Sequence, residues 1–62
     1  MSLGPQLSSV NTQLFDLTER VAEMAELLSG SDRDDVANVL FEIERSLSTA
    51  GRRLEQLVSE LD

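Results

Sequence analysis

Asp32, Asp34 and Asp35 resemble the start of an EF-hand calcium loop, whose ligands are oxygen atoms. That loop also needs an oxygen donor at its fifth position, glycine at its sixth and glutamate at its twelfth. Val36, Ala37 and Ile43 stand there instead. The three aspartates fit a second role, the opening turn of a helix, where the helix dipole favours negative charge. Glu19, Glu23 and Glu26 share one helical sector, but the di-metal helical bundles that use such carboxylates pair them with Glu-x-x-His, and the chain has no histidine. Those glutamates read as a solubilising face. Without histidine the neutral-pH proton shuttle is missing, and without cysteine there is no thiolate nucleophile, disulfide or thiolate zinc site. Paired carboxylates of the glycosidase kind need a concave, partly dry pocket, which a narrow helical assembly seldom forms. No glycine-rich phosphate loop or serine nucleophile motif occurs. The chain is therefore expected to have no catalytic residue, cofactor or metal ion, and not to be an enzyme.

Charge narrows the partners. The 62 residues carry 12 acidic side chains against five arginines and no lysine, a formal charge of −7. Such an excess repels phosphate backbones and anionic lipid, which argues against nucleic acid or membrane as the main partner. The adjacent pair Arg52-Arg53, flanked by Glu55, reads as a solvated helix face. No run approaches the ~20 apolar residues of a membrane span. The opening Met1-Ser2-Leu3-Gly4-Pro5 has no positive region and no apolar stretch behind it, so a cytoplasmic location is expected. With 40% hydrophobic residues the chain is too apolar for an acidic disordered tail.

These residues must be carried by helices. Leu7, Val10, Leu14, Leu17, Val21, Met24 and Leu28 alternate spacings of three and four, as do Val36, Leu40, Ile43, Leu47, Ala50, Leu54, Leu57 and Leu61. Two heptad seams follow, not strands of period two. Between them Gly30 suits a helix C-terminus, and Ser31 with Asp34 reads as an N-cap and its capping-box acid. The fold class is all-α: one antiparallel, coiled-coil-like two-helix hairpin over 1–62. Helix one is expected over about 6–29, a turn at 30–31 and helix two over about 32–61. Gly51 is a weak point in helix two, yet the seam keeps its phase through it, which predicts a continuous helix with a thin spot where another helix approaches.

An antiparallel register in which paired residue numbers sum to 64 makes every layer apolar, Leu17 against Leu47 and Leu14 against Ala50 among them. In the undersized Leu14–Ala50 layer the Phe15 ring is expected to fill space near Ala50 and Gly51. Residues left over widen one side of each helix: Phe15, Ala22 and Ala25 on the first, Ala37, Phe41, Gly51 and Val58 on the second. A lone hairpin cannot hide both seams and these residues, and chains this small without disulfide or metal often need oligomerisation. Dimerisation into a four-helix bundle through those seven residues is expected, with twofold symmetry the default.

In length, central turn and paired seams the chain resembles the ROP family of small RNA-binding helical-hairpin dimers. The resemblance implies architecture. The RNA face of that family is basic, whereas helix one here offers Arg20 alone among Asp16, Glu19, Glu23 and Glu26. Three functions are therefore weighed. The first is an interaction or oligomerisation module that binds itself or a helical protein partner. The second is an acidic regulator that masks a basic surface with Glu19, Glu23, Glu26, Glu42 and Glu44. The third and weakest is nucleic-acid binding by Arg45, Arg52 and Arg53.

Overall fold

A computed structural model describes residues 3–61 of the chain; Met1, counted among the leftover apolar residues, lies outside them. Two helices, α1 (Leu3–Leu28) and α2 (Asp34–Leu61), pack side by side as a hairpin 49 × 14 × 11 Å. Helix α1 starts three residues before the expected position. Pro5 is compatible with this because the third residue of a helix has no i−4 carbonyl to bond.

The turn differs in detail from the capping box expected of Ser31 and Asp34. Gly30 closes α1 with φ +79°, and its N–H donates to Asp34 Oδ1 at 2.8 Å. The Ser31 hydroxyl donates to the Leu28 carbonyl at 2.6 Å and accepts from the Arg33 N–H at 3.1 Å. Ser31 thus ties the end of one helix to the entry of the next, while Arg33 supplies the first carbonyl of α2, to Val36 and Ala37. With Ser31 to Arg33 used in this way, α2 begins at Asp34 rather than 32. Asp34 and Asp35 occupy its first turn, and α2 then runs unbroken through Gly51.

The seam between the helices is not the one the spacing predicts. Let the residues at Leu7, Leu14, Val21 and Leu28, and at Leu40, Leu47, Leu54 and Leu61, be heptad position d. Most of these stay partly covered in the hairpin. The expected companions Val10, Leu17, Met24, Ile43 and Leu57 are between 41% and 50% exposed and occupy position g. The helices meet instead through d and a, where a comprises Gly4, Asn11, Thr18 and Ala25 on α1, and Ala37, Glu44, Gly51 and Val58 on α2. Ala25 and Ala37 are fully buried and Thr18 nearly so.

The register is corrected with the face. Ideal Cβ geometry at Gly51 would bring that atom 3.5 Å from Asn11 Oδ1 and 3.9 Å from Leu14 Cδ2. It is therefore Gly51 that sits against Leu14, while Ala50 turns outward and is exposed. Small a residues explain the choice physically. Alanine and glycine let two backbones close up, and dispersion rises steeply as the gap shrinks. The polar member at the centre is satisfied locally, since Thr18 Oγ1 donates to the Leu14 carbonyl at 2.7 Å.

Candidate interaction faces

The closed a/d seam leaves two long sides to the hairpin, one formed by the g residues of both helices and one by the e residues. On the g side α1 presents Leu3, Val10, Leu17 and Met24, each 48–51% exposed. Beside them α2 presents Val36, Ile43, Ala50 and Leu57. All eight are apolar, one per heptad on each helix, and the d residues form the floor between the columns. The flanking c positions hold Gln6, Gln13, Arg20 and Leu27, then Val39, Ser46, Arg53 and Glu60. In a chain of charge −7, this side carries one carboxylate among the described residues, Glu60.

The e side has a different chemistry. Phe15 and Ala22 face Ser48 and Arg52 across a cleft of about 370 Å³, with Asn11 and Gly51 in its lining and Glu19, Glu44 and Glu55 around it. Phe15 remains 65% exposed, so its ring stands at the cleft instead of filling a layer beside Ala50. Phe41 lies on the same side one heptad from Ser48, and it is 38% exposed.

The seven residues expected at a partner surface are thus divided by the fold. Ala25 and Ala37 have no accessible surface, because the two helices of a single copy cover them. Gly51 lies against Asn11 and Leu14, and Val58 is half-buried at the same a position. Phe15, Ala22 and Phe41 remain together on the e side. The g residues were missed as a surface because their spacing relative to d matches that of a relative to d. The sign that could have separated them is the pair of small-residue columns at multiples of seven, Ala37 and Gly51 fourteen apart and Gly4 and Ala25 twenty-one apart.

Asp32, Asp34 and Asp35 are dispersed by the turn. Asp34 accepts from Gly30, and Asp35 pairs with Arg33 at 3.4 Å on the surface. No group of three metal-ligating side chains comes together among the described residues. Among those residues, too, no helix is long and apolar enough to cross a membrane. No protein-family model, curated protein or solved structure matches the chain.

Proposed function

We propose that the protein is a non-enzymatic interaction module, an acidic helical hairpin that associates with itself or docks on a helical partner. One observation carries this reading. Among the described residues no large side chain is fully buried, and the fully buried apolar core consists of Ala25 and Ala37. Two alanines contribute little transfer free energy compared with the ~1.5–3 kcal/mol of a buried leucine, so the many half-covered leucines and valines must find their dry environment elsewhere. Sedimentation equilibrium across micromolar concentrations tests it. The expected result is a concentration-dependent mass above the 6.9 kDa chain, or a monomer that gains stability on binding a helical partner. A monodisperse monomer of full helicity and high melting temperature, indifferent to any partner, would refute it.

A second reading is favoured by the e side. Glu19, Glu44 and Glu55 around the Phe15 cleft suit a regulator that covers a basic surface, with Phe15 as an apolar anchor. Binding of that kind weakens steeply as salt rises, whereas docking through apolar residues does not weaken.

A further inference from the structure

We infer that the g side is the seat of a second copy of this chain, and that the assembled unit is a four-helix dimer whose core is formed by the d and g residues. This deepens the self-association reading above and rests on it.

Area gives the first support. A folded monomer of 6.9 kDa has an accessible surface of about 4,000 Å². This hairpin exposes 4800 Å². The excess, about 800 Å², is the area that one partner contributes to an interface of standard size. The shape agrees, since the radius of gyration is 14.4 Å where about 10.6 Å is normal for 62 residues. A second hairpin laid flat on the first would thicken its narrowest dimension and cover area of that order.

Charge gives the second. Two chains of −7 repel, and the repulsion is weakest where the acids are farthest from the contact. The g side meets that condition. Its apolar columns contain no charge, and its c flanks contain Arg20, Arg53 and Glu60. The e side, with Glu19, Glu44 and Glu55 against Arg52 alone in its cleft, would bring two net-negative surfaces together in a symmetric contact. Helix geometry gives the third. A helix with one neighbour needs two columns, whereas a helix in a bundle touches two neighbours and needs a third beside them. Positions a, d and g provide three, with the a column already closed inside the hairpin.

The test compares Leu17→Glu with Phe15→Glu in the full-length chain by sedimentation equilibrium. Leu17 lies at the centre of the g side and is 49% exposed, while Phe15 is on the opposite side. Wild type is expected to dimerise. Leu17→Glu should raise the dimer dissociation constant at least about a hundredfold, since each dimer loses two central apolar contacts and gains two buried carboxylates. Phe15→Glu should leave it within about threefold. Because a Leu17→Glu monomer has lost its dry face and can unfold, a milder pair accompanies it. The chain has no native cysteine, so Leu17→Cys and Phe15→Cys each offer maleimide a single thiol. The Leu17→Cys thiol should be protected about tenfold or more at concentrations above the dissociation constant and lose that protection on dilution. The Phe15→Cys thiol should react equally at both. A dimer lost with Phe15→Glu but kept with Leu17→Glu, or a Leu17→Cys thiol as reactive in the dimer as in the monomer, overturns the assignment of the face and leaves self-association standing. A chain monomeric at every concentration overturns both.

Discussion

Gly51→Ala should stabilise this protein. An alanine Cβ would lie 3.5 Å from Asn11 Oδ1 and 3.9 Å from Leu14 Cδ2, ordinary van der Waals distances at which no neighbour must move. Position 51 is in the interior of α2, where glycine costs about 1 kcal/mol relative to alanine through the extra freedom of the unfolded chain. With no steric cost against it, that propensity gain decides the sign. About 1 kcal/mol corresponds to a rise in Tm of roughly 4–8 °C for a chain of this size. Thermal melts followed by far-ultraviolet circular dichroism, at one fixed chain concentration, measure it. Gly30→Ala is the opposite case. No atom lies within 4 Å of its added Cβ, yet φ is +79°, so the substitution should lower stability by about 1–2 kcal/mol through backbone strain alone. A Tm for Gly51→Ala at or below wild type would show that the helices approach more closely at Asn11 and Leu14 than these distances, or that α2 does not run straight through residue 51.

Three further outcomes follow from the same packing. Ala25→Leu adds volume at a position with no free surface and should cost about 1–3 kcal/mol in urea denaturation by forcing the helices apart. Ser31→Ala removes the hydroxyl that bridges Leu28 and Arg33, and it should cost about 1 kcal/mol in the same assay with the slope unchanged. Raising salt should tighten the self-association measured by sedimentation, because it screens the repulsion between two chains of −7 while the apolar contact is little affected. An affinity that falls with salt would instead point to charge pairs as the source of attraction.

The limits of the sequence reading have a geometric cause. The helical hairpin was legible because the alternation of three and four is unbroken on both sides of Gly30, and no strand shares that period. What the period cannot distinguish is which pair of adjacent columns faces the other helix, since the step from g to d is four and from d to g three, the same two steps that relate a and d. Hydrophobicity favours d with g: Val10, Leu17, Met24, Ile43 and Leu57 outrank Asn11, Thr18, Ala25, Glu44 and Gly51 on any transfer scale. The hairpin nevertheless closes on a and d, with small residues such as Ala25 and Ala37 where the two helices approach. A sequence written for one isolated hairpin would place its largest apolar residues inside it. Here large apolar residues stand at g as well as at d, on the side with the fewest acids, while half of the a residues, Gly4, Ala25, Ala37 and Gly51, are glycine or alanine and let the hairpin close. That division suits two interfaces per helix: a close one within the chain, where small a residues sit beside the d leucines, and a second at g left for another helix pair.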